Sequence, residues 1–169
     1  MGKRMVILGA AESGVGAAVL AQKKGFDVFV SDMGKIKPHY VDMLDRYEIA
    51  WEDGGHTEGL VLNADEVIKS PGIPEDAPMV LKVKEAGIPI ISEIEFAGRY
   101  THAKMICITG SNGKTTTTSM VSEILLHAGT DPTLSIGGML KSIGGNIRVG
   151  STDLFVTEAC EYTNSFLSF

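Results

Sequence analysis

The sequence predicts an α/β protein made of two consecutive parallel-sheet units, and three observations carry that prediction. Short apolar runs alternate with helix-patterned segments along most of the chain. Two of those runs break into glycine-rich loops that lead straight into helical patterns: GAAESGVGAA from residue 9 and TGSNGKTTT from residue 109. At 169 residues, 44% hydrophobic and 21% charged, the chain has the material for a real core.

Taken in order, RMVIL at 4–8 reads as a buried strand, and GAAESGVGAAVLAQKKG as a turn entering a helix that stops at Gly25. DVFVS at 27–31 is a second strand ending at Asp32, and YVDMLDRY is a helix. ADEVIKSPGIP holds a third strand, broken by Pro71 and Gly72. PMVLKVKEAG is helical, IPIIS a strand and EIEFAGRY a short helix. One alternation closes near Thr101–Lys104 and another begins, so the expected domains are 1–102 and 103–169. The second opens with a strand at 104–109 and a helix at about 115–128 that carries Met120, Val121, Ile124 and Leu125 on one side. IGGMLKSIGGNIRVG reads as a glycine-rich loop, and DLFVTE as a strand ending at Glu158. The apolar Phe166, Leu167 and Phe169 close the chain without a partner, which predicts a second domain cut short and self-association through this segment.

A net charge of −6 and a pI near 5.2 argue against a nucleic-acid partner, which needs a surplus of basic residues on one face. No apolar stretch reaches the roughly 20 residues of a membrane span, and Met1 runs into a strand without a signal-peptide pattern, so a cytoplasmic protein without a membrane partner is expected. Cys107 and Cys160 show no disulfide or metal spacing, and His39, His56, His102 and His127 read as surface or capping residues.

Gly9, Gly14 and Gly16 follow the first strand, but Ala11 stands where a dinucleotide fingerprint has glycine. Ser13 and Gly14 offer a hydroxyl and an amide to an anion at a helix start. Asp32, about 20 residues on, is placed to accept from ribose hydroxyls. Ser70 and Gly72 fall at the same edge if the strands are parallel, and Gly72 would let a ligand approach the backbone. In the second loop the strict phosphate pattern fails at Ile108. Gly110, Ser111, Asn112, Gly113 and Lys114 can still curl their amides around an anion, with the Lys114 charge added. Thr115 and Glu158 supply hard oxygen for Mg²⁺.

These residues resemble the Mur ligase family, ATP-dependent enzymes that add amino acids to a UDP-muramoyl precursor of peptidoglycan. TGSNGKTTT is similar to the family's shortened phosphate loop, which explains Ile108. Residues 1 to about 118 resemble the D-glutamate-adding branch in GAAESGVGAA, VSD, KSPGIP and SEIEFAGRY. Residues from about 134, SIGGMLKSIGGNIRVG and TEACEYTNSFL, resemble the L-alanine-adding branch, so the chain looks like a splice with its junction between Asn112 and Gly129. The resemblance implies a Rossmann-like UDP-sugar domain followed by the beginning of a P-loop-type ATPase domain. It implies that Glu12, Ser13, Asp32 and Gly72 meet the uridine diphosphate. It assigns Gly110 to Thr116 to ATP, Lys114 to catalysis, and Thr115 and Glu158 to Mg²⁺. It further implies that this chain alone binds without turning over. A non-catalytic nucleotide-binding module remains open, as does an NAD-dependent oxidoreductase, although Ala11 and the second loop count against the latter.

Overall fold

The computed structural model describes residues 2–159; the terminal segment expected to self-associate lies outside them. The chain divides into two compact units, one ending at Arg99 and the other beginning at Tyr100.

In the first unit, β1 (Arg4–Leu8), β2 (Asp27–Asp32), β3 (Ala50–Asp53), β4 (Glu66–Lys69) and β5 (Ile90–Ser92) form one sheet in the order β3-β2-β1-β4-β5. Every pairing is parallel, so all five carboxyl ends share one edge, as the alternation predicts. Helices α1 (Glu12–Lys23), α2 (Pro38–Arg46), α3 (Glu58–Val61), α4 (Pro78–Glu85) and α5 (Glu93–Gly98) connect the strands. Because β1 is central and covered on both faces, Met5, Val6, Ile7 and Leu8 are all buried and an unbroken apolar run is what the position needs. Val6, Leu8, Phe29 and Val67 pack with Val61 of α3 and Met79, Val80 and Val83 of α4. Against the sheet, α1 presents Gly14, Val15, Ala17, Ala18 and Ala21, small enough for close approach.

The sequence reading missed β3 and counted β4 as the third strand. AWED carries no apolar run, since β3 sits at the sheet edge, pairs only with β2 and is nowhere fully buried.

In the second unit, β6 (Lys104–Ile108), α6 (Lys114–His127), β7 (Thr133–Leu140), β8 (Gly145–Arg148) and β9 (Leu154–Glu158) build a four-stranded sheet in the order β6-β9-β7-β8. Two corrections arise here. The glycine-rich 136–150 segment is no loop: β7 runs into a 3-10 turn at Lys141–Ile143, and β8 returns antiparallel after Gly144, whose φ is 65°. Leu134 and Ile136 are buried on alternate residues, a period-2 signal that the glycines obscure. The apolar side of α6 also does not all turn inward. Met120 and Ile124 are exposed, while Val121, Leu125 and Leu126 join Leu134, Ile136, Leu140 and Val156 in the core. Fully buried beside them are Thr118 and Ser122, tolerated because each hydroxyl donates to the carbonyl one turn back, Thr118 to Lys114 at 2.8 Å and Ser122 to Thr118 at 2.7 Å.

Candidate functional site

In the first unit the carboxyl edge of the sheet opens into a cleft of about 250 Å³, whose walls include Gly9, Asp32, Met33, His56, Gly72 and Ile73. The turn from β1 to α1 is tight. Gly9 has a φ of 97°, and a Cβ on Gly14 would lie 2.0 Å from the Gly9 carbonyl oxygen. Glycine at 14 is therefore demanded by the protein's own packing. Gly72 differs: a Cβ there would meet nothing within 4 Å. It belongs to the turn Ser70–Ile73, closed by the Ile73 amide donating to the Ser70 carbonyl at 3.1 Å. Lys69 braces that turn through the Ile73 carbonyl at 2.8 Å and Glu75 at 3.1 Å.

Asp32 and Gly72 thus meet at the cleft. Asp32 already accepts two backbone amides, and each of its oxygens keeps a further lone pair. One carboxylate oxygen takes the Ala10 amide at 2.6 Å and the other the Gly34 amide at 2.8 Å, so the side chain ties β2 to the β1–α1 turn. Glu12 is exposed on the first residue of α1, Ser13 is half-buried, and neither lines the cleft. Ser70 is buried against Gly9 and Gly14, and its Oγ has no hydrogen-bond partner. Nearby Glu93 also keeps Oε2 buried and unpaired. Burial pushes its carboxyl up, against the opposing pull of its own amide, Lys69 and the Ser13 hydroxyl.

The cleft contains a residue that sequence reasoning set aside. His56 lies in its wall, and His56 Nδ1 sits 2.6 Å from the Oγ of Ser31, which is wholly buried at the end of β2. Ser31 donates in turn to Glu52 Oε1 at 2.7 Å, and the Thr57 amide donates to the same oxygen at 2.8 Å. Burial raises the Glu52 carboxyl, but the Thr57 hydroxyl and amide, Ser31 and His56 together hold it below its ordinary range. The signal lay in no local motif: Ser31 and His56 are 25 residues apart, joined only by the pairing of β2 with β3.

In the second unit the predicted loop residues lie together between β6 and α6. Gly110 and Gly113 take φ values of 143° and 77°, and Gly113 is the N-cap of α6. Ser111 and Asn112 lie between them, Thr116 occupies the first turn, and Lys114 reaches back to the Gly110 carbonyl. Thr115 donates to Glu158 Oε2 at 3.2 Å, while the Gly137 amide donates to Oε1 at 2.7 Å. The parallel register of β6 and β9 sets Ile108 beside Glu158 and so brings the carboxylate to the loop. Gly137 and Gly138 let β7 pass: Cβ atoms there would come within 2.8 Å of the Glu158 carboxylate and 2.9 Å of the Thr115 methyl. Among the described residues no group of three or more His, Cys, Asp or Glu could hold a metal by itself. One hydroxyl and one carboxylate beside an anion loop do fit a cation completed by phosphate oxygens and water, the usual habit of Mg²⁺.

A family model for the MurD N-terminal domain matches residues 5–79, and one for the Mur ligase middle domain matches residues 108–167. The chain is 60% identical over 160 residues to UDP-N-acetylmuramoylalanine–D-glutamate ligase of Bacteroides thetaiotaomicron, an alignment covering 95% of this chain and 36% of the relative. That alignment, covering 95% of this chain, includes residues on both sides of the 112–129 junction. Identity to UDP-N-acetylmuramate–L-alanine ligase of Lachnospira eligens is 55% over 107 residues, 62% of this chain and 23% of that one. In fold, the chain matches the crystal structure of UDP-N-acetylmuramate:L-alanyl-gamma-D-glutamyl-meso-diaminopimelate ligase of Neisseria meningitides, with a TM-score of 0.69 at 24% identity, over 100% of this chain and 58% of that one. The chain spans about a third of the length of the curated relatives it matches.

Proposed function

The chain belongs to the Mur ligase family, and from that premise we propose that it supplies the UDP-sugar and ATP sites of a cytoplasmic ligase adding D-glutamate to UDP-N-acetylmuramoyl-L-alanine. The observation that carries the proposal is the convergence of Thr115 and Glu158 beneath a loop that bears Lys114 at a helix N-terminus. That arrangement suits a nucleoside triphosphate with its metal and has no use in a purely structural turn. In the first unit Gly72 supports the uridine diphosphate assignment, because glycine there serves the open cleft and not the protein's packing.

In the reaction, an oxygen of the substrate carboxylate attacks the γ-phosphorus of ATP and ADP leaves. The amine of the amino acid then attacks the acyl carbon, loses a proton and expels phosphate. Lys114 and the loop amides neutralise the phosphate charge, and Thr115 and Glu158 would hold Mg²⁺, which supplies Lewis-acid charge stabilisation when bound. Most of this is positioning, which the rigid strand ends provide.

Calorimetry with UDP-N-acetylmuramoyl-L-alanine, ADP with Mg²⁺, and NAD tests the reading. The first two should bind, and Lys114→Ala should weaken ADP by about 1.5–3 kcal/mol, the loss of a charged hydrogen bond. Binding of NAD in place of both would overturn it. A second reading, addition of L-alanine, is favoured by the 55% identity to the Lachnospira enzyme. Phosphate release from ATP by the full-length protein, with each amino acid and its matching UDP-muramoyl acceptor, separates the two.

A further inference from the structure

We propose that Lys69 is a positioning residue for the ligand of the first unit: its enclosed ammonium group holds the Ser70–Ile73 turn in the shape that presents Gly72 to the cleft. The inference deepens the uridine diphosphate assignment of Gly72 and rests on it.

A lysine at the end of a strand ordinarily lays its alkyl stem along the surface and leaves the ammonium group in water. Lys69 ends β4 and does otherwise, with a side chain only 12% exposed. An ammonium group so enclosed needs acceptors and negative charge to offset its lost hydration. Here they come from two directions. The turn supplies the Ile73 carbonyl at 2.8 Å and Glu75 Oε1 at 3.1 Å. The start of α5 supplies the Glu93 carboxyl, on which Lys69 and the Ser13 hydroxyl of α1 both act.

The turn is held at its ends and open at its apex. Ile73 is tied through both backbone groups, its N–H to the Ser70 carbonyl at 3.1 Å and its carbonyl to Lys69. Glu75 is fastened a second time, since Lys84 of α4 donates to its Oε2 at 2.7 Å and to its carbonyl at 3.2 Å. Lys84 and then Lys69 hold the Glu75 carboxyl below its ordinary range, which keeps the acid ionised at neutral pH. Pro71 fixes its own φ, and Gly72 beside it has open space where a Cβ would stand. Gly72, Ile73 and Pro74 line the cleft and Lys69 does not, so the lysine reaches a ligand only through the backbone that it holds. A turn fixed before the ligand arrives does not have to be ordered by it, and binding is tighter by that saved entropy.

Two measurements on the same chain test the proposal: hydrogen exchange at the Ile73 amide without ligand, and calorimetry with UDP-N-acetylmuramoyl-L-alanine, with ADP and Mg²⁺ as control. Lys69→Met keeps the unbranched stem and removes the ammonium group. It should speed Ile73 exchange and weaken the UDP ligand, each by about tenfold or more, the worth of one charged hydrogen bond, and leave ADP binding in the second unit unchanged. Lys69→Arg can still donate to the Ile73 carbonyl and should recover most of both. A merely structural lysine would lower the unfolding midpoint of the unit and leave the affinity of the folded chain at its wild-type value. That result overturns the proposal, as does wild-type Ile73 exchange in Lys69→Met. If Lys69→Met does not fold, Glu75→Ala takes its place, because that side chain is 68% exposed and its loss leaves the core untouched. A weaker UDP ligand supports the positioning role there, and an unchanged one overturns it. If the wild-type chain binds ADP but not the UDP ligand, the uridine assignment falls and the positioning role with it, while Ile73 exchange still reports on the brace itself.

Discussion

Replacing Asp32 by alanine separates a residue that holds the fold from one that only holds a ligand. The change removes the acceptor for two backbone amides, Ala10 at 2.6 Å and Gly34 at 2.8 Å. Ala10 is buried, 3% exposed, so its N–H is left without a partner inside the protein, at a cost of about 1–3 kcal/mol. The Gly34 amide lies where water can replace the carboxylate, and its loss adds at most about 1 kcal/mol. The expected total is about 1–4 kcal/mol. Trp51 is the single tryptophan of the chain and sits in β3, so its fluorescence during urea unfolding reports on the first unit alone. With a slope of roughly 1–1.5 kcal/mol per molar for a unit of this size, the midpoint should fall by about 2 M. Asp32→Asn keeps one acceptor oxygen and should fall between. An Asp32→Ala transition within about 0.5 kcal/mol of wild type would refute the reasoning, and reduced UDP affinity with that unchanged stability would return Asp32 to a ligand role.

Two further predictions concern the second unit. Gly137→Ala puts a Cβ within 3.1 Å of three carboxylate atoms of Glu158, so the side chain must swing away from both Thr115 and the Gly137 amide. Binding of ADP should then lose its enhancement by Mg²⁺ while circular dichroism stays native, and an unchanged Mg²⁺ effect would count against the metal assignment. Asp131, bonded first by the Ser151 hydroxyl and then by Arg148 and the Ser151 amide, has its carboxyl lowered from 3.8 to about 2. A depressed value means that its stabilisation is complete above pH 3.8 and is lost as pH falls toward about 2. Acid titration of the β7–β9 amide signals should show this loss in wild type and not in Asp131→Asn; the same profile in both would refute it.

What the sequence made legible was whatever local pattern determines. Buried central strands such as RMVIL need apolar residues on both faces, and the loop TGSNGKTTT needs glycines where φ is positive, so both are visible one residue at a time. Features that depend on strand pairing were not. AWED has no pattern of its own, and the hydroxyls of Thr118 and Ser122 look like solvent residues until they are seen returning their hydrogen bonds to α6. In the candidate site, Glu158 could be placed because it ends a recognisable strand. His56 could not, since its surroundings are set by Ser31 and Glu52 on two neighbouring strands, one of them unforeseen. Asp32 was located correctly as a strand end, but its bond to the Ala10 amide, 22 residues away, depends on strand pairing and has no local signal.

The strand order β6-β9-β7-β8 has a consequence for how the second unit comes into being. Its interior strand β9 is the last of the four in the chain, and it enters between β6 and β7, which have no ladder with each other. A ribosome that has delivered the β7–β8 hairpin has therefore made a local structure with no platform to join, and the lysine loop hangs from a strand still unpaired on both sides. Closure waits for residues 154–158, a long-range step with the loop-entropy cost that slows such topologies. Glu158 rides in on that same strand. The carboxylate reaches Thr115 only when β9 joins β6 to β7, so a lobe still lacking β9 has no Thr115–Glu158 pair with which to hold a cation.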